Sequence, residues 1–248
     1  MTIHCIVVSA GVGKRFGTSK PKQYTPIHGK TVLQHSLYAL SQVNDLTDCY
    51  LVVSNEDEVA KTLDFAMPIH WVIGGAERMN SVFNGVQTIW QSLDTLAQSQ
   101  DWVLIHDAAR PCVLPQDIEK LIQSVTDADI ASSAGGILAV PVRDTVKQII
   151  EQDNQVLAKT TIDRSQLWLA QTPQIFPLAK LYDYLSQAIE QAIPFTDEAS
   201  LFEYFANKLG NEEYPLLVEG SHSNIKLTFP EDLMFAEVFL THQGVNTL

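Results

Sequence analysis

Apolar and polar positions along the chain follow two alternating patterns. Short runs of β-branched and other apolar residues predict strands, and between them apolar residues recur every three or four positions, which predicts amphipathic helices. The predicted strands cover residues 4–10, 49–54, 69–73, 101–106, 136–142, 167–171 and 213–220. The predicted helices cover residues 31–42, 81–97, 115–126, 177–191 and 197–209, and a last helix is predicted from the sequence TFPED at 228–232.

The order of these elements predicts an α/β fold. Strands that lack strict alternation and are separated by helices are typical of a mostly parallel sheet with helices on both faces. The segment 141–164 departs from this rhythm, because it consists of two β-rich stretches around the polar turn EQDNQ. It predicts a hairpin that leaves the main sheet. A lone hairpin is only marginally stable in water, so we expect it to pack on something, and a second subunit is one candidate.

Charge and composition narrow the classes of function. The formal net charge of −13 argues against nonspecific binding to nucleic acid or to a membrane, because both surfaces are anionic. No apolar stretch reaches the ~18 residues of a membrane span, and no basic segment leads into a signal-type apolar run at the N-terminus. The three cysteines are far apart and form no metal-binding or disulfide pattern. We therefore expect a protein of the reducing cytoplasm.

An acid-free, glycine-rich stretch follows the first predicted strand. It reads SAGVGKRFGTSKPKQY (9–24), and the first acidic residue of the chain is Asp45. Ligands of open parallel sheets bind at the carboxyl ends of the strands, where a glycine turn presents backbone N–H groups to an anion. The stretch therefore predicts a site for several negative charges, such as a triphosphate. Phe16 replaces the third glycine of a dinucleotide fingerprint, and no Walker A spacing is present, but a plain glycine-rich turn with solvated lysines stays open on the loop alone.

A series of short motifs occurs in one order over residues 9–232. The motifs are SAGVGKRF with PKQY, GGAERMNSV, HDAARP, PVRDTVK, TIDR, QTPQ, FTDEAS and EGSHSNIKLTFPED. Together they resemble the 2-C-methyl-D-erythritol 4-phosphate cytidylyltransferase family of the non-mevalonate isoprenoid pathway. The resemblance implies a single Rossmann-like nucleotidyltransferase domain over residues 1–248, with a protruding β-arm at about 141–164 that interlocks a homodimer. It also implies that CTP and methylerythritol phosphate give CDP-methylerythritol and pyrophosphate, with Mg²⁺ or another divalent cation as the cofactor.

The resemblance assigns roles motif by motif. Arg15 and Lys22 match the transition-state stabilisers of the family, and Lys226 and Arg164 match the residues that position methylerythritol phosphate. Arg164 ends the arm, so the resemblance implies that it reaches the site of the partner subunit. The positions that match the CTP pocket are Ser9, Ala10, Gly11, Gly13, Gly75, Ala76 and Ser81. The positions that match the substrate side are Asp107, Arg110, Thr145, Thr172 and Thr196, and Asp107 is also the expected carboxylate near the metal.

The sequence departs from the family pattern at three places. Ser9-Ala10-Gly11 and Lys14-Arg15-Phe16 stand where the family usually has Ala-Ala-Gly and Arg-Arg-Met, and Ala76 stands where an acid often follows the two glycines. Two alternatives remain. A cytidylyltransferase for another polyol phosphate, such as ribitol 5-phosphate, shares the fold and the chemistry. A non-catalytic nucleotide-binding subunit would be expected to lack Arg15, Lys22 or Asp107, and all three are present.

Overall fold

The computed structural model describes residues 1–11, 16, 21–126 and 134–244. Its strands are β1 (Ile3–Val8), β2 (Pro26–Ile27), β3 (Lys30–Thr31), β4 (Cys49–Val53), β5 (Ile69–Ile73), β6 (Trp102–Asp107), β7 (Gly136–Pro141), β8 (Val146–Gln152), β9 (Gln155–Ile162), β10 (Trp168–Pro177) and β11 (Leu216–Glu219). Its helices are α1 (Val32–Ser41), α2 (Arg78–Ser92), α3 (Thr95–Gln100), α4 (Pro115–Thr126), α5 (Leu178–Glu190), α6 (Glu198–Leu209) and α7 (Asp232–His242). Among the described residues, no helix is both long enough and apolar enough to cross a bilayer.

The described residues form a main sheet of seven strands in the order β11-β7-β10-β6-β1-β4-β5. Strand β10 runs antiparallel to both of its neighbours, β6 and β7, and the other neighbouring pairs are parallel. The prediction of a mostly parallel sheet is therefore confirmed. Because β6 and β7 are both antiparallel to β10, they run in the same direction and end at the same edge of the sheet.

Helices cover both faces of this sheet, as the unbroken apolar strands predict. Along β1, the fully buried Cys5 and Val7 face a core shared with α1 and α4. Ile6, between them, faces the opposite core, which is shared with α2, α5 and α6. Successive side chains of a strand point to opposite faces, so a strand buried on both sides carries apolar residues on both faces.

Most of the predicted bounds agree with the observed ones to within three residues, and two predicted elements differ more. The helix predicted over 81–97 is wrong, because the chain forms α2 and α3 there. Leu93 is extended, with φ −107° and ψ 152°, and the Asp94 carboxylate accepts a hydrogen bond of 2.9 Å from the Ala97 N–H, which begins α3. An aspartate that caps a new helix ends the preceding one. The strand predicted over 167–171 continues to Pro177 as β10.

The segment between β7 and β10 forms the predicted hairpin. Strands β8 and β9 pair with each other from Val146↔Ile162 to Gln152↔Gln155, and within the described residues they form a sheet of their own. Asp153 and Asn154 join them with φ of 50° and 62°, the conformation that a two-residue hairpin turn requires. Since β7 ends at the same edge as β6, the hairpin leaves the main sheet at that edge.

Candidate active site

A cleft lies where β1, β5 and β6 end. The parallel register of β1 and β6 places Val8 beside Asp107, and the N–H of Gly74, just after β5, donates to the carbonyl of Val53 over 2.8 Å. The volume of the cleft is about 430 Å³. The predicted site residues in its wall are Ser9, Ala10, Gly11, Lys22, Gly75, Ala76, Ser81, Asp107 and Lys226. The residues after β6 and β1, which are neighbours, and after β5, which lies beyond β4, therefore meet at the edge of the sheet where the sequence predicts the ligand.

Hydrogen bonds from the PKQY motif hold the loop after β1 in place. The buried Gln23 side chain donates from Nε2 to the carbonyl of Ser9 over 2.8 Å and to the carbonyl of Gly11 over 3.2 Å. Lys22 donates from Nζ to the carbonyl of Leu227, the residue that follows Lys226. Two predicted cations from opposite ends of the chain are thereby brought to one wall. Arg15 and Gly13 lie outside the described residues.

The turn between β5 and α2 requires its glycine for steric reasons. A Cβ added to Gly75 would lie 2.3 Å from the Cβ of Asn80 in the first turn of α2. The Gly75 N–H donates to the Ser81 hydroxyl over 3.1 Å, and that hydroxyl donates to the Glu77 carbonyl over 3.1 Å. The predicted CTP-pocket residues Gly75, Ala76 and Ser81 therefore form one compact turn. The N-terminus of α2, with its partial positive charge, lies in the same wall.

Asp107 is the centre of an ion-pair cluster in the cleft. Its Oδ1 accepts a hydrogen bond from Arg78 Nε over 3.2 Å, and its Oδ2 accepts one from Lys226 Nζ over 2.6 Å. Burial by itself would raise the pKa of the Asp107 carboxyl, but the charges of Arg78 and Lys226 outweigh burial and hold that pKa well below its usual range. Asp107 is therefore ionised throughout the neutral pH range.

Arg78 and Glu198 are members of this cluster that the sequence analysis did not single out. Glu198 is fully buried in the first turn of α6, and its two carboxylate oxygens accept from Arg78 Nη1 over 2.7 Å and from Arg78 Nη2 over 3.0 Å. Both residues lie within motifs that carry the resemblance, GGAERMNSV and FTDEAS. A buried glutamate requires a partner of opposite charge, but the partner lies 120 residues away, a distance at which sequence spacing gives no signal.

A second layer of polar residues supports Asp107 from behind. The Thr172 hydroxyl accepts from the Asp107 N–H over 3.0 Å and pairs with His106 Nδ1 over 3.0 Å, while His106 Nε2 pairs with the Arg110 carbonyl over 3.1 Å. This network fits a neutral imidazole with its proton on Nε2. Burial lowers the pKa of His106 to about 4. His106 is thus a hydrogen-bonded turn histidine.

Arg110, predicted on the substrate side, lies in this second layer. Its guanidinium is buried and donates from Nη1 to the Asn224 carbonyl over 2.7 Å and from Nη2 to the Ala170 carbonyl over 3.4 Å. Burial, the largest influence, lowers the pKa of Arg110. In this position Arg110 ties the turn after β6 to the strand β10 and to the segment that carries Lys226.

Three further predicted residues lie outside the cleft wall. Thr145 is exposed just before β8, and Thr196 is exposed just before α6, where its N–H donates to the Ser200 hydroxyl over 3.2 Å. Arg164 is exposed at the base of the hairpin and donates from Nη1 to the Arg143 carbonyl.

The donor groups in the cleft fit a divalent cation only in part. Asp107 offers carboxylate oxygens, which Mg²⁺ prefers. Among the described residues, no group of three or more histidine, cysteine or acidic side chains is arranged to hold a metal ion. A cation in this cleft would therefore take most of its ligands from phosphate oxygens and water.

Comparison with known proteins extends these findings over nearly the whole chain. Residues 3–242 match the family model for 2-C-methyl-D-erythritol 4-phosphate cytidylyltransferase. The chain is 41% identical to the protein of that name from Psychrobacter arcticus, over 97% of this chain and 92% of that protein. It is 42% identical to the protein of that name from Vibrio vulnificus, over 96% of this chain and 94% of that protein.

The fold is likewise similar to those of solved structures. The crystal structure of 2-C-methyl-D-erythritol 4-phosphate cytidylyltransferase from Francisella tularensis aligns with a TM-score of 0.76 and 32% sequence identity, over 97% of this chain and 100% of that chain. A crystal structure of 4-diphosphocytidyl-2C-methyl-D-erythritol synthase aligns with a TM-score of 0.75 and 36% identity, over 96% of this chain and 98% of that chain.

Proposed function

This chain belongs to the 2-C-methyl-D-erythritol 4-phosphate cytidylyltransferase family and is a nucleotidyltransferase of isoprenoid precursor biosynthesis, and we propose that the cleft around Asp107 is where the transfer takes place. CTP and 2-C-methyl-D-erythritol 4-phosphate are the substrates, and CDP-methylerythritol and pyrophosphate are the products. The observation that carries this proposal is that Lys22, Lys226 and Arg78 line the same cleft as the ionised Asp107, with Lys226 and Arg78 hydrogen-bonded to its carboxylate.

The chemistry requires positioning and charge stabilisation more than proton transfer. A phosphate oxygen of methylerythritol phosphate attacks the α-phosphorus of CTP, a new P–O bond forms, and the bond from that phosphorus to the pyrophosphate breaks. The attacking oxygen is already an anion, so no general base has to remove a proton. Catalysis then depends on holding the two phosphates in line and on stabilising the charge of the transition state, which cations do well.

The geometry supports different roles for Lys226 and Lys22. Lys226 has a half-exposed side chain in the cleft and is the group that meets the acceptor phosphate. Lys22, on the same wall, stabilises charge on the transferred phosphate together with Arg15. Gly75, Ala76 and Ser81 form the turn against which the cytosine and ribose lie, and with Ala76 in place of an acid the backbone groups of this turn read the base.

A divalent cation is part of this proposal. Mg²⁺ would be held by Asp107 and by phosphate oxygens of CTP, and when bound it would supply additional neutralisation of the phosphate charge. Asp107 supplies an ionised carboxylate at the end of β6. Arg78 orients that carboxylate, and the Thr172 hydroxyl holds the backbone N–H of Asp107.

The active unit is proposed to be a homodimer joined by the β8–β9 hairpin. The hairpin exposes Ile149, Ile150, Val156 and Leu157, with 51%, 39%, 66% and 39% of their surface accessible. Exposed apolar side chains on an isolated hairpin are costly, and a second copy of the arm would cover them.

The three cysteines are free and buried, which suits a reducing cytoplasm.

A turnover assay tests the reaction and its alternatives. Pyrophosphate release should require CTP together with methylerythritol phosphate, and CTP alone should give background only. Faster turnover of ribitol 5-phosphate would favour the other polyol cytidylyltransferase. Binding of CTP with no turnover of either polyol phosphate would favour a non-catalytic nucleotide-binding subunit.

A further inference from the structure

Glu198 is the most deeply buried charged group of the cluster. It has no accessible surface, and both of its carboxylate oxygens accept from the two terminal nitrogens of Arg78. A carboxylate buried in this way is destabilising unless a cation is held in good geometry beside it. The planar guanidinium meets that need with two parallel hydrogen bonds, so the orientation of Arg78 is fixed by α6.

The remaining hydrogen-bonding edge of Arg78 faces Asp107. Its Nε donates to Asp107 Oδ1, whereas Lys226 donates to Oδ2. The Asp107 carboxylate is thus held on one side by a rigid cation and on the other by a lysine whose side chain is 42% exposed. The two cations differ in freedom, because Arg78 is fastened to a buried glutamate and Lys226 ends in the cleft.

We propose that Glu198 is a positioning residue, which fixes Arg78 so that Asp107 keeps its orientation and a counter-charge when Lys226 turns from Asp107 to the phosphate of the acceptor. This inference rests on the proposed function of the cleft. Without Arg78, a buried Asp107 that lost Lys226 would keep no hydrogen-bonded cation from the protein itself, which is costly unless a divalent cation already occupies the site. With Arg78 held by Glu198, Lys226 is released to the acceptor without that penalty.

Three variants separate positioning from fold stability. Glu198→Gln removes the charge that holds Arg78. Arg78→Lys keeps the positive charge but cannot form the fork that joins Glu198 and Asp107. The double variant Arg78→Met with Glu198→Leu replaces the buried pair by apolar side chains of similar size, a change that often preserves stability. Each variant is compared with wild type in thermal unfolding and in kcat and KM for both substrates.

Asp101→Asn provides a matched control. Asp101 is also a buried carboxylate, and it accepts from the Thr2 N–H over 2.8 Å and pairs with His4 Nε2 over 3.0 Å. It precedes β6, whereas Asp107 ends that strand, so the two carboxylates are roughly 20 Å apart at opposite edges of the sheet. The control should lower the Tm while leaving kcat/KM for the acceptor unchanged.

The expected result is a selective loss. All three variants should lower kcat/KM for methylerythritol phosphate by about 10- to 100-fold, while KM for CTP stays within about twofold of wild type. The loss should persist in the double variant even where its Tm equals that of wild type. A folded Glu198→Gln, Arg78→Lys or double variant with wild-type acceptor kcat/KM would overturn the inference. A wild-type protein that releases no pyrophosphate would overturn the proposed function, and this inference with it.

Discussion

Lys226 Nζ lies 2.6 Å from Asp107 Oδ2, in the wall of the cleft. The lysine is the residue that the family resemblance assigns to the acceptor phosphate, and the aspartate is the one that it places near the metal. In this structure each neutralises the other. If Lys226 binds the acceptor phosphate, as proposed, that phosphate has to compete with Asp107 for the lysine.

Replacement of Lys226 by methionine tests whether this lysine binds the acceptor phosphate. Lys226→Met should reduce kcat/KM for methylerythritol phosphate by roughly 10- to 100-fold, since a hydrogen bond to a charged group contributes about 1.5–3 kcal/mol. The fold should persist, because Asp107 keeps Arg78 as a partner. Steady-state kinetics with each substrate varied in turn measures the effect.

Lys120→Met is the matched control for that variant. Lys120 also ends in a hydrogen bond to protein, from Nζ to the Glu219 carbonyl over 2.8 Å, but it lies on α4 outside the cleft. Its replacement should leave both KM values unchanged. If Lys226→Met kept the wild-type KM and kcat for the acceptor, Lys226 would have no part in binding that substrate.

Most of the fold can be predicted from the sequence because its signals are local. Strand 69–73 and helix 115–126 have the predicted bounds, since apolar runs and helical spacing are properties of neighbouring residues. The direction of β10 is not local, and nothing in its residues indicates that it runs antiparallel between β6 and β7. The division of 81–97 depends on Asp94, which the helical pattern of its neighbours conceals.

The site shows the same limit more clearly. Asp107, Lys226 and Lys22 are assigned from motifs, but their contacts depend on segments that only the fold brings together. The motifs do not indicate roles for Arg78 and Glu198, because each residue acts through the ion pair that it forms with the other. One sequence shows each of the two motifs, but it does not show that residues 120 positions apart form an ion pair.

The turn after β5 predicts a steric requirement for CTP binding. Gly75→Ala would place a Cβ 2.3 Å from the Asn80 Cβ, so the first turn of α2 would have to move. That turn carries Ser81, whose hydroxyl fixes the Gly75 N–H. We expect KM for CTP to rise by at least about tenfold. A tenfold change corresponds to roughly 1.4 kcal/mol of lost binding free energy. Steady-state kinetics with CTP varied gives this KM, and isothermal titration calorimetry gives the corresponding Kd for CTP.

Gly85→Ala on the same helix is the control for this substitution. A Cβ at Gly85 would lie 3.0 Å from Ile6 Cδ1 and 3.3 Å from Ile6 Cγ2 and Val52 Cγ2, so this substitution also crowds α2, but in the core rather than at the turn after β5. CTP affinity should then equal that of wild type. Equal CTP affinities of the Gly75→Ala variant and wild type would argue that nucleotide does not bind against this turn.

His106 predicts a pH dependence of stability. Burial lowers its pKa from 6.5 to about 4, so the histidine is neutral in the fold and gains a proton on unfolding below pH 6.5. Its contribution to stability is complete above pH 6.5 and is lost as the pH falls towards 4. Between pH 6.5 and 5 the loss should be about 2 kcal/mol.

Thermal unfolding as a function of pH measures this contribution. His106→Gln should be less stable at pH 7, because the hydrogen bonds to Thr172 and to the Arg110 carbonyl are altered, but its Tm should fall less steeply between pH 7 and 5 than that of wild type. His222→Gln, at an exposed position, should keep the wild-type slope. Parallel slopes for His106→Gln and wild type would show that His106 does not contribute the predicted acid sensitivity.

The hairpin predicts that two chains share each active site. Arg164 lies at the base of the β8–β9 hairpin and outside the cleft wall of its own chain, whereas Lys22 lines that wall. If arms exchange between subunits, Arg164 of one chain serves the cleft that contains Lys22 of the other. Arg164→Ala and Lys22→Ala should then each inactivate a homodimer, Lys22→Ala by roughly 10²–10³ in rate, by analogy with oxyanion donors.

Mixed dimers of these two variants provide the test. In a mixed dimer, one site would carry both substitutions and the other would carry neither. Mixing the two nearly inactive proteins, with subunit exchange confirmed by native mass spectrometry, should restore up to about half of the wild-type activity per mixed dimer. Lys22→Ala mixed with the double variant Lys22→Ala, Arg164→Ala is the control, because every site in that mixture lacks Lys22 and none should recover.

The opposite outcome is equally informative about the hairpin. Confirmed mixed dimers that stay as inactive as their parents would mean that Arg164 acts within its own chain, or that both sites must be intact together. A protein that remains monomeric at assay concentrations and is fully active would remove the shared site altogether. In that case the exposed Ile149, Ile150, Val156 and Leu157 would need another partner, because an apolar two-stranded hairpin is only marginally stable alone.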